Sequence, residues 1–255
     1  MKNWILGRRA ASAAGYFERY VLSLIYLYFA WVEFHIVLNL ARVEIPLWQM
    51  IRAQPLITQN ALLAEAARHV VAMLLNLFTG ILLLLASRAA VPPQKIRDVL
   101  VPLLTAFFNL TYNAAQLFPV WARKGLWPQG LEAWFIVAGL FLCAVGPAVA
   151  IWAILYLRRS FGIFVEVKKV VMGGPYRWVR HPMYLGYTGM LAGLLLVNFS
   201  AAFFILVPIQ IVLLLYRAHL EETRLAEHSP EYRQNMDRTG FIFPRFRLNR
   251  TKSAG

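Results

Sequence analysis

Apolar residues in this chain neither alternate nor keep to one helical stripe; they run on in blocks, near residues 20–40, 69–87, 99–120, 131–157 and 184–216. About 20 apolar residues carry a helix across the hydrocarbon of a bilayer, so each of the first four blocks predicts a spanning helix. The fifth is long enough for two helices if they are short or tilted, and its one polar break, Val197-Asn198-Phe199-Ser200, predicts a turn. The expected fold is all-α and integral to a membrane, with about six transmembrane helices, the last two forming a helical hairpin. A four-span bundle over residues 1–157 is then followed by a second region over 158–255. Two polar stretches, from Arg158 to His181 and from His219 onward, are long enough to build something outside the bilayer. The stretch from Ala41 to Arg68, with Pro46, Trp48 and Pro55, reads as interfacial.

Composition agrees with the pattern: 60% of residues are hydrophobic, only 15% are charged, and the mean hydropathy is +0.55. A net charge of +14 would point to nucleic acid in a soluble chain. Here it points to lipid headgroups and topology, and no nucleic-acid partner is expected. The single cysteine, Cys143, lies in an apolar run, which gives neither a disulfide framework nor a metal site. Met1 to Arg19 has no apolar core of signal-peptide length, so the first long run is expected to remain as an anchor. Lys and Arg collect on the cytoplasmic side of membrane proteins. With six spans and an inside N-terminus, the inside segments carry 4, 3, 6 and 8 of them, 21 of the 26 in the chain. A single tilted helix over 184–216 would instead divide them 13 against 13. The charge pattern therefore favours the hairpin, with both termini and both long polar stretches in the cytoplasm. The expected location is a bacterial inner membrane.

The densest charge sits among helix breakers, in Gly174-Pro-Tyr-Arg-Trp-Val-Arg-His-Pro-Met-Tyr-Leu-Gly-Tyr187. A residue before proline resists helix, so Pro182 starts a helix and His181 stays extended. That helix begins with its dipole-positive end at the cytoplasmic boundary, where free N–H groups and Arg180 suit a carboxylate or phosphate. Tyr184 and Thr188 lie one turn apart on it, and Gly186, Gly189 and Gly193 thin its wall. The plainer alternative is a set of boundary anchors with a Gly189-x-x-x-Gly193 packing face. Adjacent Glu221 and Glu222, where the last apolar helix leaves the membrane, are not needed as anchors. A hairpin returns them to the same face as Arg180 and His181, and cationic donors opposite carboxylates fit a zwitterionic ligand. An Arg217 to Glu221 pair one turn apart accounts for Glu221 alone.

These residues together, Gly174, Pro175, Tyr176, Val179, Arg180, His181, Pro182, Tyr184, Gly186, then Glu221, Glu222, Leu225 and Tyr232, resemble the integral-membrane methyltransferases, among them isoprenylcysteine carboxyl methyltransferase and the phospholipid N-methyltransferases. Ser160-Phe161-Gly162 resembles a further family element, and the likeness covers roughly residues 155 to 246. Tyr-Leu-Gly stands at 184–186 where the phospholipid enzymes often carry Gly-x-Gly. The resemblance implies a methyltransferase-like catalytic region over 158–255. S-adenosylmethionine would sit in a cytoplasmic pocket formed by the Arg-His-Pro segment and the C-terminal tail. It implies cofactor binding by Tyr176, Arg180, His181, Pro182, Tyr184, Gly186, Glu221 and Glu222, and catalytic positioning by Arg180, Arg217 and Glu221. No soluble-type Gly-x-Gly-x-x-Gly occurs, which fits a membrane-embedded pocket.

The acceptor stays open between an isoprenylcysteine-like carboxylate, which wants a cation to position it, and a phospholipid amine or a thiol, which must lose a proton. A lipophilic acceptor would enter sideways between helices. Glu33 and His35 in the first span, and Asn109, Tyr112, Asn113 and Gln116 in the third, either line a headgroup cavity or bond neighbouring helices. The competing readings are an NADPH-dependent membrane oxidoreductase of the sterol-reductase type and a non-enzymatic lipid-binding or transport protein. Transport lacks the internal repeat it usually shows. The aromatic tail, with Tyr232, Phe241, Phe243 and Phe246, is expected to fold back as a lid.

Overall fold

The computed structural model describes residues 8–42, 56–107 and 118–245, and these residues are all-helical apart from two isolated β-bridges. Helix α1, Arg8–Tyr16, passes through a π-helical stretch, Phe17–Leu22, into α2, Ser23–Arg42. Then come α3, Leu56–Leu85; α4, Arg97–Phe107; the short α5, Val120–Arg123; α6, Glu132–Leu157; α7, Pro182–Val197; α8, Ala201–His228; and α9, Pro230–Arg238.

Three stretches are long and apolar enough to cross a bilayer: Ser12–Asn39, Glu132–Ser160 and Ala201–His228. Ala72–Leu85 and Pro182–Val197 are shorter apolar helices. An apolar core is buried, yet the outer surface is unlike that of a water-soluble protein. Trp134 is 74% exposed, Phe141 65% and Val212 63%, while Glu18, Ser23, Thr79, Thr105, Gln210 and Arg217 are buried. Large apolar side chains facing outward and polar ones facing inward are what a hydrocarbon solvent selects.

The expected hairpin is present. α7 stops at Val197, Asn198 donates from Nδ2 to Leu194 O at 3.1 Å, and α8 starts at Ala201. The turn is packed by the segment before α6, where Trp127 Nε1 donates to Leu196 O at 3.0 Å and Leu126 N to Phe199 O at 2.6 Å.

Two features add to or differ from expectation. Residues 56–68, read as interfacial, continue without a break into the second apolar run as α3; nothing between Leu56 and Leu85 interrupts a helix, whereas Pro55 immediately precedes it. The glycines of α7 do not thin a wall for a ligand. A Cβ on Gly186 would lie 2.5 Å from Gly146 O and 2.6 Å from Ala150 N, and one on Gly193 would lie 2.6 Å from Gly139 O. α6 and α7 therefore meet backbone to backbone along paired glycines, the close approach that small residues permit between membrane helices. Gly186 faces α6, not a pocket.

The front helices are tied by polar contacts as well. Glu33 on α2 meets His69 Nδ1 on α3 at 2.5 Å, so Glu33 bonds a neighbouring helix. His35 packs its ring edge-on to Trp31, 4.3 Å between centroids. Asn109, Tyr112, Asn113, Gln116 and Phe246 lie outside the described residues.

Candidate functional site

The connection from Arg158 to His181 leaves α6 through a 3₁₀ turn, Arg158–Ser160, and then runs extended. Val167 bridges antiparallel to Val91, which pins the loop after α3. A second 3₁₀ turn, Gly174–Arg177, follows; Gly174 at φ +57° supplies the left-handed entry, and a Cβ there would collide with the Tyr156 ring. Val179 then bridges parallel to Gly240, Arg180 N donates to Gly240 O at 2.9 Å and His181 N to Phe241 O at 3.1 Å. The tail thus returns to the Arg-His-Pro segment and is held by its backbone. Pro182 opens α7 at its first turn, as a residue without an N–H is suited to do.

Around this junction the hairpin brings together the residues singled out by type. Arg180 Nε pairs with Glu222 Oε1, and the same guanidinium donates to the carbonyls of Met236, at 3.0 Å, and Thr239, at 2.5 Å. Those carbonyls end α9, where the helix dipole is negative, so Arg180 clamps the tail electrostatically as well as by hydrogen bonds. His181 Nε2 is 3.4 Å from Glu222 Oε1, within ion-pair range but without an aligned hydrogen bond, and its ring lies tilted to Tyr184, 5.4 Å between centroids, and edge-on to Phe241 at 5.0 Å. Tyr184 donates from Oη to Glu221 Oε1 at 2.5 Å, and Arg217 Nε donates to the same oxygen at 3.1 Å.

A cavity of about 110 Å³ opens at this point between the connection, the start of α7, the end of α8 and α9. Tyr176, Arg180, His181, Tyr184 and Glu221 line it, with Tyr232 supplied by α9. Pro182, Gly186, Glu222 and Arg217 do not. Glu222 stands behind the wall and holds Arg180 and His181 in place. Arg217 is buried deeper, donating also to Thr105 Oγ1 at 3.2 Å and Ile163 O at 2.7 Å and lying against the Tyr184 ring. Its bonds tie α8 to α4 and to the connection, which makes it a positioning residue here. The Arg217 to Glu221 pair one turn apart is thus real, and Glu221 faces the cavity as well.

The chemistry of this lining suits a polar, zwitterionic ligand. The Tyr232 hydroxyl is buried with no hydrogen-bond partner among the described residues, an arrangement that is costly unless a ligand supplies one, and His181 Nε2, also buried, has the 3.4 Å contact with Glu222 without an aligned bond. Burial first, and nearby carboxylates second, hold the Tyr176 and Tyr232 phenols well above the ordinary tyrosine range, so both present a proton to the cavity. Glu221 adds a carboxylate to the lining, and the connection adds Lys168 and Lys169. A carboxylate, an ammonium and sugar hydroxyls would all find complementary groups, so the residues present fit S-adenosylmethionine. Among the described residues no group of three or more His, Cys, Asp or Glu is placed to hold a metal ion.

Several lining residues carry no motif signal. Glu166 and Lys168 face the cavity from the connection, and Asn235 from α9. Glu166 is the one acidic residue between Arg158 and His181, a distinction visible in the sequence.

No curated protein matches the chain. Residues 134–231, from α6 to the start of α9, match the model of the phospholipid methyltransferase family, so most of the part of the chain that builds this pocket, all but Tyr232 and Asn235 of its lining, is similar to the membrane methyltransferases that its motifs resemble.

Proposed function

We propose that this protein transfers a methyl group from S-adenosylmethionine to a lipophilic acceptor at the cytoplasmic face of a membrane. The observation that carries the reading is the cavity at the Arg-His-Pro junction, lined by His181 and Glu221 from the family-matched segment and by the buried, unpartnered hydroxyl of Tyr232 just beyond it. S-adenosylmethionine supplies an electrophilic methyl on a sulfonium, and the transfer is an in-line displacement that depends on positioning and exclusion of water. Glu221 holds the cofactor's cationic or hydroxyl groups, preset by Tyr184 and Arg217. His181 and Tyr232 donate to its polar atoms. Glu222 acts through Arg180, which keeps α9 against the opening.

A cavity of about 110 Å³ is smaller than the roughly 300 Å³ at which ordinary ligand sites begin. The tail therefore shifts to admit a nucleoside and closes again over it, and Arg180 is the latch. We place both termini in the cytoplasm of a six-span topology in a bacterial inner membrane; the support is the excess of Lys and Arg in the segments that topology puts inside.

Incubation of the purified protein with radiolabelled S-adenosylmethionine and a total lipid extract tests the activity. Label recovered in a lipid is the expected result. A protein that binds the compound yet labels nothing would refute methyl transfer.

A further inference from the structure

A second, larger cavity of about 590 Å³ lies on the other side of Glu166 and Lys168, which line both. Apart from that shared wall it lies outside the family-matched segment. It is walled by Gly15, Tyr16, Glu18 and Arg19 from α1 and the π-helical stretch, and by residues 87–89 and 92–94 of the loop after α3. Its volume falls in the range of ordinary ligand sites, about 300–1,000 Å³.

The charges of this cavity are ordered by depth. Glu18 is buried, and its Oε1 accepts from Ile163 N and, at 2.9 Å, from Phe164 N, so it is engaged by two backbone donors. Glu166 and Lys168, with side chains 4% and 5% exposed, stand 2.7 Å apart and offset each other. Arg19 and Arg88 remain. Arg19 is half-buried and uses only its Nε, which donates to Leu84 O at 3.2 Å and so caps the end of α3. Arg88 is exposed, and its side chain has no hydrogen-bond or ion-pair partner among the described residues. Three cations thus meet two carboxylates, and the two cations with free donors lie nearest the solvent. An entering ligand meets guanidinium groups first, whose planar forks match the oxygens of a phosphate. At the inner end one acceptor stays open. Glu166 Oε1 is buried and receives no aligned hydrogen bond, since Lys168 Nζ donates to Phe161 O at 2.7 Å. Such an atom calls for a donor from a ligand.

The surroundings of the mouth are those of a membrane boundary. Tyr16 and Tyr20, stacked with centroids 6.1 Å apart, are exposed on the cavity wall, and the Arg19 guanidinium lies 5.7 Å from the Tyr20 centroid. Amphipathic rings of this kind settle at the headgroup level. Below them Leu24, Tyr28 and Trp31 of α2 are exposed, an apolar face that lipid tails cover.

We propose that the larger cavity binds the headgroup of an acidic lipid, with its phosphate on Arg19 and Arg88, a headgroup hydroxyl donating to Glu166, and its acyl chains along the exposed face of α2. Glu166 and Lys168 stand between this site and the cofactor pocket, so the lipid held here is a ligand in its own right and not the methyl acceptor. The inference is independent of the methyltransferase reading. Free phosphate offers the same oxygens to the two arginines but has no tails to lie on α2.

Full-length protein in a neutral detergent, stripped of lipid, is titrated with phosphatidylglycerol, with phosphatidylcholine and with inorganic phosphate, and retained lipid is read by native mass spectrometry. The expected result is saturable retention of one phosphatidylglycerol per chain, displaced by neither of the other two. Arg19→Gln and Arg88→Gln should each weaken it roughly fivefold, and more together. Arg88→Gln removes no side-chain contact among the described residues, so it reads the site even if Arg19→Gln disturbs the end of α3. Gly15→Leu, whose side chain begins in open space on the cavity wall, should block the lipid with both arginines in place. Equal retention of phosphatidylcholine, or unchanged retention of phosphatidylglycerol in all three variants, would overturn the inference. Inorganic phosphate bound as tightly as phosphatidylglycerol, and lost in the arginine variants, would overturn the lipid as its source and leave a phosphate site. S-adenosylmethionine is titrated into the same samples; its failure to bind the wild type would remove the methyltransferase reading and leave this site standing.

Discussion

Glu221 accepts from Tyr184 and Arg217 through one oxygen and still lines the cavity, so its charge is fixed in place before any ligand arrives. A charge-assisted bond in such a site is worth about 1.5–3 kcal/mol, or roughly ten- to a hundredfold in affinity. An exposed boundary pair is worth under about 1 kcal/mol. Glu221→Gln and His181→Gln are accordingly expected to weaken S-adenosylmethionine at least about tenfold, with Arg8→Gln as a silent control. Calorimetric titration of each variant reads the difference, and unchanged affinity in both would return these residues to the role of anchors. Glu166 makes a separate prediction through pH. It faces Glu18 from the π-helical stretch and Lys168 from its own connection, with Arg19 and Arg88 also on the cavity wall. Its carboxyl is raised from 4.5 to about 7 in the folded protein, so the folded state holds its proton more tightly than the unfolded one. The stability this contributes is fully present below pH 4.5 and is lost as pH rises through 7. Thermal unfolding in detergent should show that fall, and Glu166→Gln should flatten it; an equal slope in the variant would mean that another group carries it.

At the scale of elements, α9 is the part whose role is most open to direct challenge. It brings Tyr232 to the cavity, and its last carbonyls are gathered by Arg180. Truncation after Leu225 should leave the protein inserted and abolish methyl transfer, because the pocket would lose a wall and its protection from water. Full activity in the truncated protein would show that α9 is no lid. The hairpin of α7 and α8 was legible from one polar break in an apolar block, since only a turn tolerates Asn198 and Ser200 between two such runs. The glycines of α7 were legible as a pattern but not in their use. Gly-x-x-x-Gly spacing announces close approach without saying to what, and only the opposing Gly146 and Gly139 on α6 decide that it is a helix. That α3 begins at Leu56, ahead of the second apolar run, was not legible, because Thr58, Gln59 and Asn60 lower hydropathy without breaking a helix.

At the scale of the molecule, the motif half of the site could be read in advance because hairpin geometry returns Arg180 and His181 to Glu221 and Glu222 whatever the details of packing. The other half could not. Glu18 and Glu166 are 148 positions apart, and nothing in periodicity brings the π-helical stretch, whose Glu18 accepts from Ile163 N and Phe164 N, onto the Arg158 to His181 connection. The same connection bonds to the loop after α3, through Val167 and Val91, and to the tail, through Val179 and Gly240, so it joins the front helices to the tail. The proposed topology rests on the charges and predicts that reporter fusions at Gly255 and at the Asn198 turn report opposite faces, with Gly255 cytoplasmic. A C-terminus on the far side would separate the pocket from the compartment where S-adenosylmethionine is made. The most direct test of the central claim is titration of the detergent-purified protein with S-adenosylmethionine and, separately, with NADPH. The account predicts saturable binding of S-adenosylmethionine, lost or much weakened in Glu221→Gln, and no binding of NADPH; absence of S-adenosylmethionine binding, or saturable binding of NADPH in its place, would contradict it.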